Sequence, residues 1–153
     1  MRDLLKKVAL FKGLNKRVMD SIATNAEVIE YSADATIIEE GSKGTEIYVV
    51  LSGTVKVLVN IEEPEEPLKI EVFEMKRGDF FGEFSFFTNR PRSATVKAGT
   101  DAQIITITKK QIEDIVESDC CAGMKFYKNI SKLLTTRIIS SDKKVKKWFK
   151  NII

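Results

Sequence analysis

Between residues 26 and about 75 the apolar positions come in short runs. Val28, Ile29 and Tyr31 form the first, Thr36-Ile37-Ile38 the second, and Ile47–Leu51, Val55–Val59 and Ile70–Phe73 the rest. Several of these alternate with polar residues, and Gly41, Gly44 and Gly53 fall between runs, where they read as turn formers and nothing more. Thr95–Ala98 and Gln103–Thr108 add two closing strands. Strands at this spacing predict an all-β sandwich, barrel or roll. On either side the period lengthens. Residues 2–25 are predicted helical, with Leu4, Leu5 and Val8 on one face, Val18, Ile22 and Ala23 on another, and Asn15 as N-cap between them. Phe11 and Leu14, flanking Gly13, are expected to tuck the connection under the core. A further helix begins near Lys109 with Ile112, Ile115 and Val116 on one face. From Tyr127 an apolar stripe runs through Ile130, Leu134, Ile138, Val145, Trp148 and Ile152, with Ser141 in its one gap. At about 1.5 Å per residue it would extend roughly 35–40 Å, enough to pack on the roll and then on a partner helix. Ser140-Ser141-Asp142 admits two readings: a continuous helix, or the end of one helix and the N-cap of another.

Composition narrows the function classes. The chain has 153 residues, 43% hydrophobic and 31% charged, and predicts one globular domain, residues 1–153. A net charge of +3 does not by itself argue for nucleic acid. The N-terminus lacks the apolar core and cleavage site of a signal peptide, and no run is long enough to span a bilayer. Cys120 and Cys121 are adjacent, a poor arrangement for a disulfide, and read as small buried apolar residues in a cytoplasmic protein. Histidine is absent. Ser-His and Cys-His catalysis and histidine-ligated haem are therefore impossible, two cysteines cannot hold a four-thiolate cluster, and no cofactor or metal site is expected. The chain is not expected to be an enzyme. Glu62-Glu-Pro-Glu-Glu-Pro67 reads as a solvated hairpin tip, with docking of a basic partner as its alternative. Lys143-Lys-Val-Lys-Lys-Trp-Phe-Lys150 is basic and amphipathic, a solvated face or a binding segment for a membrane surface or partner helix.

The chemistry concentrates in residues 78–96, GDFFGEFSFFTNRPRSATV. They read as a short helix entered through Gly82, a turn at Pro91, and an arginine before a strand. Gly82 removes a Cβ where backbone must approach something closely. The N–H groups of Glu83, Phe84 and Ser85 would lie at a helix start, which favours an anion, and Arg92 offers forked donors suited to phosphate. Glu83 would repel an anion unless it accepted a hydrogen bond from a sugar hydroxyl on the same ligand. The bland alternative is an acid complementing a helix dipole and a solvated arginine at a strand end.

The motif FGExxxxxxxxxRSATV closely resembles the phosphate-binding cassette of the cyclic-nucleotide-binding domain, found in the catabolite activator protein and in regulatory subunits of protein kinase A. The resemblance covers nearly the whole chain and is sharpest at residues 78–96. It implies a mainly β, α+β fold: an eight-stranded, jelly-roll-like β-roll (26–108) with N-terminal helices (1–25) and C-terminal helices (109–153). It also implies that Glu83 accepts the ribose 2′-OH and Arg92 pairs with the cyclic phosphate. Phe84, Ser85 and Ala94 would contribute backbone N–H groups and Ser93 its hydroxyl, with Gly82 shaping the turn. Phe84 stands where a smaller aliphatic is common, which bears on pocket width. Ser140 and Ser141 would supply a base contact if the last helix is continuous. The expected ligand is cAMP in preference to cGMP, and the expected output is movement of the C-terminal helices against a second copy or a partner protein, with no nucleic acid bound by this domain alone. The alternatives are the sensing part of a Crp/Fnr-type transcription regulator lacking its DNA-binding domain, or a roll that binds no nucleotide.

Overall fold

In the computed structural model, residues 2–61 and 68–150 are described. The acidic insert Glu62–Pro67 and Ile152 lie outside them. Helix α1 (Arg2–Leu5), a 3-10 turn (Ala9–Phe11) and α2 (Lys16–Asn25) precede β1 (Glu27–Tyr31), β2 (Thr36–Ile38), β3 (Ile47–Ser52), β4 (Thr54–Ile61), β5 (Leu68–Lys76) and β6 (Phe80–Phe81). Helix α3 (Glu83–Thr88), β7 (Thr95–Ala98), β8 (Ala102–Ile107), α4 (Lys109–Ser118) and α5 (Cys120–Lys150) complete the order. The strands make two four-stranded antiparallel sheets, β1-β8-β3-β6 and β2-β7-β4-β5.

The position of each sheet explains its sequence pattern. The first sheet is covered on both faces, so β3 and β8 are nearly continuous apolar runs rather than alternating ones. Val49, Leu51, Phe80, Ile105 and Ile107 pack against the helices. Their neighbours Val50, Phe81 and Ile104 face the second sheet, together with Val55, Val57, Val96 and Ala98. The period of two along a strand sorts one run into two cores.

The N-terminal prediction of helix across 2–25 is corrected in its first half. Gly13 at φ +79 and the 3-10 turn break the segment, burying Leu10 and Phe11. Asn15 does cap α2, accepting from the Val18 N–H at 3.0 Å. Its amide also donates to Asp119 at 2.7 Å, and Asp119 accepts from the Ala122 N–H at the start of α5. Thr108 and Gln111 close a capping box at α4. Asn129 on α5 donates to the carbonyls of Leu10 and Lys12, tying the last helix to the 3-10 turn.

Helix α5 is continuous through Ser140-Ser141-Asp142. Of the expected stripe, Ile130 is buried and Leu134 packs against the core, while the remaining described members are exposed. Ala122, Gly123, Phe126 and Ile130 are buried, whereas Tyr127, Ile138, Val145 and Trp148 are exposed. Both cysteines are exposed in the first turn of α5, contrary to their reading as buried residues. Gly123, which packs against Val116, and Ala122 take the inward positions instead.

Candidate functional site

A cavity of about 500 Å³ lies on the inner face of the second sheet, within the range of roughly 300–1,000 Å³ typical of small-molecule sites. Its floor and walls are largely apolar, with Val57, Val59, Phe73 and Met75 among them, and residues Gly82–Ser85 and Arg92–Ala94 form its polar end. Helix α5 crosses the opening with Leu134, Arg137, Ile138, Ser141 and Asp142.

The polar end follows from the local backbone. Gly82 sits at φ +87, a left-handed conformation, as the N-cap of α3. A Cβ there would meet the Glu46 carbonyl at 2.6 Å and Arg92 Nη1 at 2.8 Å, so the close approach expected of this glycine is to the arginine and its loop. The first-turn N–H groups of Phe84 and Ser85 have no acceptor within their own helix. Asn89 ends α3 in the left-handed region at φ 54, and its N–H donates to the Ser85 carbonyl. That stop turns the chain back, so that the Arg92 N–H reaches the Ser42 carbonyl at 2.9 Å while the Gly41 N–H reaches the Arg92 carbonyl at 2.8 Å.

Arg92 is buried at 5% exposure, far from a solvated strand end. Nη1 donates to the carbonyls of Glu46 (3.0 Å) and Gly82 (3.1 Å), and Nη2 donates to the Glu46 carboxylate at 2.8 Å. The guanidinium carbon lies 5.4 Å from the Tyr48 ring centroid, which in turn stacks on Phe81. Burial pushes the Tyr48 phenol up from its usual range, with the Arg92 cation opposing. Gly44, read as a turn former only, has a further role. A Cβ at this position would lie 2.7 Å from Arg92 Nη2 and 2.8 Å from Glu46 Oε2. Its missing side chain makes room for the ion pair.

Glu83 is buried at 6% exposure and pairs with Arg137 Nη1 at 3.0 Å. Arg137 also donates through Nη2 to the Phe80 carbonyl and lies over the Phe80 ring, 4.3 Å from its centroid. Burial holds the Glu83 carboxyl above the ordinary carboxylate range; the Arg137 cation, and behind it Arg92, lower it without cancelling that effect.

The structure therefore brings Gly82, Glu83, Phe84, Ser85, Arg92, Ser93 and Ala94 to one end of one cavity. Phe84 lines it while remaining 63% exposed. Ser141 lines the cavity from α5; Ser140 is exposed and outside its lining. Sequence reasoning missed Gly44, Glu46, Tyr48, Arg137 and Asp142. Arg137 was within reach: it precedes Ser141 by four residues, so a helix that aims one at the cavity aims both. Glu46 carried no signal, being one acid in a glycine-marked loop. Among the described residues no group of three or more His, Cys, Asp or Glu side chains is arranged to hold a metal, and no helix is long and apolar enough to cross a membrane.

Comparison with known proteins agrees with this geometry. The sequence profile described as the cyclic nucleotide-binding domain matches residues 28–119, more than half of the chain. A cAMP-dependent protein kinase regulatory subunit from Aspergillus fumigatus is 36% identical over 100 residues, which are 65% of this chain and 23% of that protein. The chain thus spans about a quarter of that relative's length. Among solved structures, a cyclic nucleotide-binding domain from Methylobacillus flagellatus superposes with a TM-score of 0.81 at 20% identity, covering 94% of this chain and 79% of the other. The catabolite activator protein of Thermus thermophilus superposes with a TM-score of 0.74 at 21% identity, covering 90% and 62%. At these identities the likeness is one of fold: two antiparallel sheets rolled together, with flanking helices and a long last helix.

Proposed function

This chain belongs to the cyclic nucleotide-binding domain family, and on that premise we propose that its cavity takes a 3′,5′-cyclic nucleotide, cAMP in preference to cGMP, as a regulatory signal. The observation that carries this reading is the pairing of a buried arginine and a buried glutamate at the polar end of an otherwise apolar 500 Å³ cavity. Arg92 pairs with the cyclic phosphate, and Glu83 accepts the ribose 2′-OH. The N–H groups of Phe84, Ser85 and Ala94 and the Ser93 hydroxyl complete the anion site. The base lies along the apolar walls towards Ser141. Charge-assisted hydrogen bonds of about 1.5–3 kcal/mol each account for much of the roughly 8 kcal/mol of a micromolar ligand.

The role is binding and signalling, without a catalytic step or a further cofactor, and residues 1–153 act as one unit. The output is a change in the seating of α5, the element that crosses the opening. Its exposed stripe of Tyr127, Ile138, Val145 and Trp148 is the surface offered to a second copy or a partner protein. A cytoplasmic setting fits such a sensor. Parallel calorimetric titration with cAMP and cGMP tests the reading. Saturable binding of both, tighter for cAMP, is expected; tighter cGMP binding would reverse the base assignment, and no heat from either would leave a roll without this ligand.

A further inference from the structure

The last two turns of α5 gather the chain's positive charge. Residues 143–150, Lys-Lys-Val-Lys-Lys-Trp-Phe-Lys, hold five lysines and no acid. The net charge of the whole chain is only +3, so the rest of it is net acidic. Among the described residues none of these lysines has a carboxylate partner. Beside them Val145, Trp148 and Phe149 are each more than half exposed, and the two aromatic rings meet edge-on with centroids 5.2 Å apart. At 3.6 residues per turn the three apolar side chains share an arc of about 100°. Lys144 and Lys146 stand at roughly a right angle on either side of that arc, with Lys143, Lys147 and Lys150 behind it. Lys144 Nζ lies 4.5 Å from the Phe73 ring centroid, which keeps this end of the helix beside β5 while the apolar arc stays in solvent.

We propose that residues 143–150 are a docking surface for a bilayer rich in anionic phospholipid, on which α5 lies without crossing it. The inference goes beyond the nucleotide reading and does not depend on it. Three properties select this occupant. Hydrocarbon just beneath a headgroup layer covers the apolar arc of a helix lying in the interface. Lysines on both sides of the arc can run their stems along apolar surface and reach headgroup phosphates with their ammonium groups, each adding attraction towards an anionic leaflet. An indole beside a phenyl ring suits the boundary between headgroups and acyl chains. A second copy of the chain fits this end poorly. Pairing two such arcs would set Lys144 and Lys146 against their counterparts, with no acid between 143 and 150 to offset them. Duplex nucleic acid would satisfy the lysines and leave Val145 and Phe149 in water. Among the described residues no helix is long and apolar enough to cross a membrane, so the contact is peripheral.

Trp148 is the chain's single tryptophan, so its emission reports this surface directly. The whole chain is titrated with vesicles of phosphatidylcholine containing about one-third phosphatidylserine, and with vesicles of phosphatidylcholine alone. A blue shift of the emission and co-sedimentation are expected with the first. Binding should be at least about tenfold tighter than to the second, and should weaken about tenfold between low salt and about 0.5 M salt. The triple variant Lys146→Ala, Lys147→Ala, Lys150→Ala is expected to lose at least about tenfold in vesicle affinity at an unchanged thermal midpoint, since all three side chains are exposed. Trp148→Ser with Phe149→Ser should lose a similar factor by sedimentation. Failure to sediment with either vesicle would overturn the proposal, as would equal binding to both compositions or full binding by the triple variant. A blue shift that grows with protein concentration in the absence of vesicles, and tracks dimer formation on ultracentrifugation, would overturn it in favour of a second copy.

Discussion

Two arginine–glutamate pairs bracket the cavity, and they differ in what holds them. Arg92 and Glu46 both belong to the roll, and the arginine is pinned by two carbonyls as well as the carboxylate. Nothing in that pair depends on α5. Glu83 and Arg137 join the cassette to α5, whose buried residues end at Ile130, seven positions before the arginine. One pair is therefore scaffold and the other a bridge to an element whose buried residues all lie in its first half. On the proposed reading, the phosphate would meet an arginine held within the roll, and the sugar a glutamate paired across to the last helix.

This contrast can be attacked in several ways. Arg92→Ala should have the largest effect, at least about tenfold in affinity by calorimetry, since it removes charge-assisted bonds and leaves Glu46 without its cation. An unchanged affinity would dissolve the distinction. Glu83→Ala is expected to weaken binding nearly as much, in the same titration. Glu83→Gln sharpens the comparison through pH. Because the folded-state midpoint of Glu83 is raised, its contribution to stability is fully present below the ordinary carboxylate range and is lost as pH rises through the elevated midpoint. Urea unfolding at a series of pH values should show that decline in the wild type and a flatter profile in Glu83→Gln. Gly44→Ala adds a methyl against the tips of Arg92 and Glu46, flexible ends that can shift. A several-fold, roughly 1 kcal/mol loss of affinity with little change in thermal midpoint is expected. Smallest of all, Ser141→Ala should cost about twofold and Ser140→Ala nothing, since only the first lines the cavity.

The roll was legible because its strands carry their own pattern. Each apolar run named from the sequence is a strand, and the alternation or continuity of each run reflects one covered face or two. Strand β6 was not legible: Phe80–Phe81 is two residues long, too short to show a period, and exists because it pairs with Tyr48 and Val49. The cassette was legible down to Gly82, whose positive φ and crowded Cβ position give a local reason for glycine. Its partners were not, because Glu46 and Arg137 lie 46 and 54 residues from the side chains they bind. The stripe on α5 marked a real helix, but only Ile130 and Leu134 of it pack on the roll and Tyr127, Ile138, Val145 and Trp148 are exposed. Cys120 and Cys121 went the same way, since apolar character says that a residue tolerates burial and not which face of a helix turns inward.

The sequence by itself determined most of the elements, their order and the identity of one polar turn, because helix and strand periods and a glycine's backbone freedom are local properties of a chain. Only the tertiary structure decided that Arg92 is buried and countered by Glu46, that Glu83 answers to Arg137, and that α5 crosses the opening with Ser141 inward and Ser140 out. Those are consequences of which surfaces meet, and a carboxylate's charge and a helix's inward face are set by neighbours that the linear order leaves far apart.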